Sequence, residues 1–350
     1  MRLLVTGGAG FIGSAFIRLV LARDPSAEIL NFDALTYAGN LENLESVAGR
    51  GNYRFVKANL CDAEATERAV AGFLPETVVH FAAESHVDRS IFAPKPVVDT
   101  NVTGAFHLLE AVRRHGVERF IHISTDEVYG SIDSPDEADE NFLLRPSSPY
   151  SASKAGADLL ALSYFTTYKL PVIVTRASNN YGPYQFPEKL IPLMIANALE
   201  NMPLPIYGDG RQVRDWLHVD DHCRAILSLV EKGRPGEVYN IGGNCALPNL
   251  EVVRRILAAT GKPESLLQSV EDRLGHDRRY ALTSAKLEAE TGWTPEIEFD
   301  QGLAQTIDWY CANTEWVERV RSGAYREYYE ANYSRREQQL DRLSMARVKP

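Results

Sequence analysis

The sequence predicts an α/β fold: a doubly wound parallel sheet, with a smaller mixed α/β domain built from later segments. Two observations carry this. Apolar runs of strand length alternate with helix-length stretches through the first half of the 350 residues, and such runs imply a sheet covered on both faces. After about Gly182 the texture changes, with prolines and aromatics crowding "YGPYQFPEKLIP" (181–192) and "MPLPIYGDGRQVRDWLHVDD" (202–221).

The elements follow in order. "RLLVTG" (2–7) leads into a helix ending near Arg23, and "EILNFD" (28–33), "YRFVKAN" (53–59) and "TVVHFAA" (77–83) continue the strands. Ala105, Leu108, Leu109 and Val112 then repeat at helical spacing before "RFIHIST" (119–125) and "PVIVTRAS" (171–178). "EVYNIGG" (237–243) reads as a further strand and "NLEVVRRILAATG" (249–261) as a helix. The C-terminal fifth is rich in Tyr and Trp, and beyond about Arg335 no core pattern is visible.

Composition excludes several classes. Lys+Arg 37 against Asp+Glu 47 gives a net charge of −10, which argues against a general nucleic-acid or membrane-surface binder. Cys61, Cys223, Cys245 and Cys311 have no metal-ligand spacing. They are expected to be reduced thiols of a cytoplasmic protein. "MRLLVTGG" is too short an apolar start for a signal peptide. No run approaches the ~20 apolar residues of a membrane span.

Three motifs carry chemistry. Gly7, Gly10 and Gly13 space G-x-x-G-x-x-G between a strand and a helix, a Rossmann-type loop that lets backbone approach a pyrophosphate at the helix N-terminus. Asp33 ends the next strand, where a carboxylate binds ribose hydroxyls and repels a 2′-phosphate. NAD is therefore favoured over NADP. Tyr150 and Lys154 lie four apart on one helix face. An ammonium, together with an oxidised nicotinamide, would stabilise the phenolate that takes a proton from a sugar hydroxyl. Third, the apolar run of the fifth strand ends abruptly in Ser124, Thr125, Asp126 and Glu127. Two adjacent carboxylates there suit ligand chemistry, because ligands bind at strand C-terminal ends in open α/β sheets.

These features, with "HFAAESHVDRSI" (80–91), "STDEVYG" (124–130), "YSASKAGAD" (150–158), "NNYGPYQFPEKLIP" (179–192), "DGRQVRDWLHVDDHCRA" (209–225) and "GHDRRYA" (275–281), resemble the extended short-chain dehydrogenase/reductase family. More narrowly they resemble its nucleotide-sugar 4,6-dehydratases, over about residues 1–333. The resemblance implies an NAD-dependent hydro-lyase acting on dTDP-glucose, with tightly bound NAD regenerated each cycle. Tyr150 and NAD would oxidise C4, and Thr125 would hold the C4 oxygen. Glu127 would remove the C5 proton, and protonated Asp126 would release the C6 hydroxyl as water. Hydride would then return to C6 and a proton to C5, giving a 4-keto-6-deoxy sugar. Repulsion between adjacent acids helps keep one of them neutral. Asp126 separates this reading from its relatives. Related decarboxylases and GDP-mannose dehydratases have Ser there, and 4-epimerases lack the acidic pair.

The resemblance divides the chain into an NAD-binding domain (1–180 plus about 216–243), a nucleotide-sugar domain (about 181–215 plus 244–335) and a tail (336–350). Cofactor contacts are expected from Gly7, Gly10, Phe11, Ile12, Gly13, Asp33, Asn59, Leu60, Ala82, Thr100, Tyr150 and Lys154. Substrate contacts are expected from Glu84, Asn180, Lys189, Leu190, Pro205, Tyr207, Arg214, Asn249, Arg273, His276 and Tyr280. Lys189, Arg214 and Arg273 supply the local cations a pyrophosphate needs on an acidic protein. Tyr207 stacks on the base or packs under the lid. Ser124 caps its strand, and His86 and His122 are read as structural. Asp62 is a surface or cap residue, while Thr100 and Asn101 start a helix as caps or as cofactor contacts. Two departures stand out: Asn59 where the family usually has Asp at the adenine edge, and Leu274 where it has Pro. Helices at about 99–115 and 150–168 have broad apolar faces, and the resemblance pairs them in a four-helix bundle across a homodimer. The competing readings are a UDP-sugar 4-epimerase or decarboxylase of the same fold, and a non-catalytic NAD-binding sensor.

Overall fold

The computed structural model describes residues 1–322 and residue 329; the tail 336–350 lies outside the described residues. Seven parallel strands form the main sheet: β1 (Arg2–Thr6), β2 (Glu28–Asp33), β3 (Tyr53–Lys57), β4 (Thr77–His80), β5 (Arg119–Thr125), β6 (Val172–Ala177) and β7 (Val238–Ile241). Their order is β3-β2-β1-β4-β5-β6-β7, so the winding direction reverses between β1 and β4. Such a switch point opens a crevice at the strand C-terminal ends.

Alternation along each strand feeds two cores. Leu3 and Val5 of β1 join Ile29, Val79, Ile121 and Ile173 under α1 (Phe11–Arg23). Leu4, Leu30, Val78, Phe120 and Val172 face the other way, under α2 (Ala63–Phe73), α3 (Ala105–His115) and α4 (Pro149–Tyr168). Both sheet faces are thus dry, which is why the strands read as unbroken apolar runs.

A second core lies beyond the sheet. It joins Tyr181, α5 (Leu190–Leu199), α6 (Val219–Lys232) only at its margin, α7 (Asn249–Thr260) and α8 (Phe299–Ala312) with Trp216 and Trp316. Its strands are short: Asn179–Tyr181, Val213–His218 and Ala246–Pro248 form one small sheet, and Leu204–Tyr207 with Leu267–Val270 another. Among the described residues, no helix is long and apolar enough to cross a membrane.

Two expectations are corrected. The strands expected over 53–59 and 77–83 stop at Lys57 and His80. The residues beyond them peel away from the ladder to line the crevice. Thr100 and Asn101 do not start a helix: a helical turn over Pro94–Val98 runs into a π-type turn over Asp99–Gly104 and on into α3. Asp62 caps α2, its Oδ1 accepting the Ala65 N–H at 2.9 Å.

Candidate active site

Every residue assigned to the cofactor from sequence lines one cavity of about 530 Å³ at the switch point, and so do Glu84, Ser124, Thr125, Asp126, Glu127, Asn180 and Lys189. The glycine loop forms its floor. Gly7 has φ +70°, and a Cβ there would meet the Ala82 backbone nitrogen at 2.6 Å. A Cβ on Gly13 would meet the Gly7 carbonyl at 2.3 Å. Gly10 caps α1 with no side chain in the way, so the first-turn amides of the helix face the cavity. Asp33 accepts the Ala9 N–H at 2.9 Å and the Leu35 N–H at 2.8 Å. Each oxygen keeps acceptor capacity for ribose hydroxyls. These residues fit NAD, and the buried carboxylate opposes a 2′-phosphate. Asn59 Oδ1 accepts the Cys61 N–H at 2.9 Å, so the carbonyl side of that amide is engaged within its own loop.

The groups expected to react come from the end of β5, the turn after it and α4. Thr125 ends β5 and caps a 3-10 turn, Asp126–Tyr129, accepting the Glu127 N–H at 3.3 Å. The turn is pinned from below by buried Tyr129, whose hydroxyl donates to Asn240 at 2.7 Å. Helix α4 begins with a Ser148–Ser151 capping box and Pro149 in its first turn. That rigid start sets Tyr150 against the acids and Lys154 one turn further in. Lys154 Nζ donates to the Ile123 carbonyl at 2.6 Å.

Electrostatics distinguish the two acids. Burial, and then the Glu127 charge, push the Asp126 carboxyl well above the usual range. Asp126 Oδ2 is buried without a hydrogen-bond partner among the described residues, while Thr125 donates to Oδ1 at 3.2 Å. Glu127 is also raised by burial, but Arg214, Lys189 and Arg273 pull it back. Arg214 is the cation that opposes the rise at Asp126.

In the protein alone, burial and the Glu127 and Asp126 charges raise the Tyr150 phenol far above its ordinary value. The Thr125 hydroxyl opposes this rise, and the Lys154 ammonium is held by the Ile123 carbonyl. Lys154 is itself lowered to about 8 by burial, with Asp158 opposing the shift.

The remaining substrate candidates form an adjoining group. Arg273 makes a forked pair with buried Asp88 at 3.0 and 2.8 Å, under the ring of Tyr207. Tyr207 also donates to Asp88 at 3.3 Å. Arg214 lies 4.1 Å from the centre of the Tyr280 ring and donates to the Asp277 carbonyl. Tyr280 donates to the Asp277 carboxylate at 2.8 Å. His276 pairs with Asp272 at 2.6 Å and meets the Tyr207 ring edge-on. Lys189 reaches the Ser85 carbonyl at 2.8 Å. Asn180 Oδ1 meets His222 Nδ1 at 2.8 Å. Asn249 opens α7, and its Oδ1 is buried without a partner among the described residues. Leu190 opens α5, and Pro205 is buried in the short strand Leu204–Tyr207. Leu274 is 41% exposed beside Arg273.

Sequence reasoning missed four side chains here: Asp88, Asp158, Glu188 and His222. All four sat inside the quoted motifs, but the partners they meet come from other elements. Glu188 lies between Arg89 and His86 at 3.5 and 3.9 Å, and burial lifts it to about 7. Asp158 receives Arg176 at 3.0 Å and faces His122 at 3.5 Å. Asn101 neither caps nor touches the acids. It exchanges hydrogen bonds with the Glu84 backbone at 2.8 and 3.0 Å and donates to Ser153 of α4 at 2.9 Å.

Comparison with known proteins agrees with this geometry. The model of the GDP-mannose 4,6 dehydratase family matches residues 4–306. A dTDP-glucose 4,6-dehydratase of Shigella flexneri is 49% identical, over 96% of this chain and 100% of its own. One from Xanthomonas campestris is 51% identical, over 92% and 97%. The crystal structure of dTDP-glucose 4,6-dehydratase from Streptomyces venezuelae, with NAD and TDP bound, superimposes with a TM-score of 0.89 at 50% identity, covering 91% of this chain and 100% of that one. A UDP-glucose 4-epimerase of Thermus thermophilus in complex with NAD shares the fold at TM-score 0.83 but only 34% identity, covering 89% and 100%. The chain belongs to the nucleotide-sugar 4,6-dehydratase family, among the NAD-dependent dTDP-glucose 4,6-dehydratases.

Proposed function

We propose that this protein converts dTDP-glucose to dTDP-4-keto-6-deoxy-glucose, with Thr125, Asp126, Glu127, Tyr150 and Lys154 as its catalytic residues. The observation that carries the assignment of roles is the unequal charge around the acids. Arg214, Lys189 and Arg273 pull the Glu127 carboxyl down, whereas burial and the Glu127 charge push Asp126 well above the ordinary range. The same pair therefore offers one ionised and one protonated carboxyl.

Bound NAD supplies the acceptor for hydrogen leaving C4 and the donor that returns it to C6. Tyr150 takes the proton of the C4 hydroxyl, with the Thr125 hydroxyl beside the same oxygen. Its phenol is hard to ionise in the protein alone, and the positive charge of an oxidised nicotinamide beside it would favour the phenolate. Lys154, whose ammonium is held by the Ile123 carbonyl one turn from Tyr150, would bind the cofactor ribose. Once C4 is a ketone, Glu127 removes the acidified C5 proton. Asp126 protonates the departing C6 hydroxyl, and water leaves across C5–C6; hydride return to C6 is then matched by return of a proton to C5, which completes the 4-keto-6-deoxy sugar. Arg214, Arg273 and Lys189 hold the substrate pyrophosphate, with Tyr207 against the base.

The lobe division read from the sequence belongs to the same proposal, as does a homodimer. Phe106 and Leu159 are 43% and 59% exposed on the helices expected to pair, which supports a four-helix bundle between two copies. Free cysteines support a cytoplasmic location.

Incubation of the purified protein with dTDP-glucose, UDP-glucose and UDP-glucuronate tests the activity. The expected result is a 4-keto-6-deoxy product from dTDP-glucose with no net NADH. A C4 epimer or a pentose product would overturn it. Asp126→Asn and Glu127→Gln should each slow water elimination by about 10²–10⁴-fold, the usual weight of general acid–base catalysis. Both should still reduce bound NAD in a single turnover, seen as absorbance of the reduced cofactor.

A further inference from the structure

We propose that the helix Thr314–Val320 is a cofactor strap, whose Trp316 holds the phosphate loop in its NAD-binding shape through Asn43. The proposal rests on the NAD site and not on which sugar is turned over.

The connection is a continuous chain of buried groups. The Trp316 indole N–H donates to Asn43 Oδ1 at 3.1 Å. Asn43 in turn donates through Nδ2 to the Ala9 carbonyl at 3.2 Å. Ala9 sits between Gly7 and Gly10, in the middle of the phosphate loop. Its carbonyl also accepts the Asn40 N–H at 2.9 Å, and its own N–H donates to the ribose carboxylate of Asp33 at 2.9 Å. Trp316 is 6% exposed and Asn43 2%, so each bond is shielded from water and a lost partner would be left unsatisfied.

The loop needs such a tie. Three glycines make it costly to order, and Gly10 offers no side-chain cap to α1. The strap supplies order from outside. Trp316 is seated in an aromatic block, with ring centres 5.1 Å from Trp309 and 6.0 Å from Tyr184. Arg18 of α1, the helix that the phosphate loop opens, lies 4.4 Å from the centre of the Tyr184 ring. The block therefore grips the loop at Asn43 and its helix at Arg18. Arg319 adds a forked pair to Glu42 at 3.0 and 2.8 Å, but that pair is partly exposed and contributes little. Trp316 and Asn43 do not line the cavity; they are positioning residues. An enzyme that must keep its reduced cofactor until hydrogen returns to C6 benefits from slow release.

The test measures NAD release with no sugar present. Wild-type and variant holoenzymes are diluted, and freed NAD is trapped by a coupled reporter dehydrogenase. Trp316→Phe keeps the aromatic packing and deletes the donor; release should rise about tenfold, the loss of one buried hydrogen bond. Asn43→Ala, which leaves the aromatic block intact, should raise release at least as much. The double variant should be no worse than Asn43→Ala alone, because the links act in series. Calorimetric affinity for dTDP should stay within twofold in each variant, separating a strap from general loosening. Wild-type release in Trp316→Phe, additive losses in the double variant, or a matching loss of dTDP affinity would overturn the proposal. If Trp316→Phe does not fold, Asn43→Ala decides alone: faster release sustains the strap and wild-type release ends it.

Discussion

Asp126 and Glu127 are one peptide bond apart, yet they face different surroundings. The turn after β5 sends Asp126 inward, against Thr125 and under Asp215, and leaves Glu127 beside three cations. Lys154 shows the same dependence on place. Its ammonium is lost as pH rises through about 8, so the C4 oxidation step should fall on that alkaline side. Its effect on stability runs the other way. An unfolded lysine keeps its proton to about 10.5, so between those values the unfolded chain binds more protons and this group's contribution to stability rises with pH. A pH profile of single-turnover NAD reduction set beside urea unfolding should show opposite slopes. Parallel slopes would exclude Lys154 as the titrating group. Asp158 is the carboxylate that opposes the lysine's shift. Asp158→Asn should therefore move the alkaline limb to lower pH. It should also destabilise the fold by about 3–5 kcal/mol, since Arg176 would be left as a buried unpaired charge.

At the scale of elements, the catalytic constellation depends on three pieces meeting: the end of β5, the first turn of α4, and the segment after β4. Asn101 joins the last two, clamping the Glu84 backbone to Ser153. Asn101→Ala strips three hydrogen bonds from one buried side chain. It should cost about 1–3 kcal/mol in chemical denaturation and lower kcat more than the affinity for dTDP. An equal loss in both would mean the clamp serves the fold alone. The sequence placed Asn101 correctly near a helix but could not show its role, because that depends on a π-type turn that rotates its side chain toward β4. The strand ends were misjudged for a related reason. Ala58 and Phe81–Ala83 continue the apolar runs of their strands, but with Asn59 they leave the ladder to line the cavity, and periodicity registers burial, not partner.

For the whole molecule, the exposed apolar residues Phe106 and Leu159 lie on α3 and α4, whose inner faces bury Leu108, Leu109, Ala161 and Tyr164. A charge there should oppose pairing: Leu159→Glu is expected to halve the mass measured by light scattering while leaving the melting temperature of the isolated chain little changed. An unchanged mass would remove these helices from the interface. The parallel sheet, the phosphate loop, the choice of NAD and the acids after β5 were all legible in the sequence, because each is written in local terms: continuous apolar runs, glycine spacing, one carboxylate at a strand end, two at another. What only the tertiary structure decided is which partner each charge meets. Asp88 holds Arg273, 185 positions away, Asp158 of α4 meets Arg176 of β6, and Trp316 reaches Asn43 across 273 positions. Residue type sets what a side chain can do, but its pKa and its bonds follow from desolvation and from neighbours that only folding brings within a few ångströms.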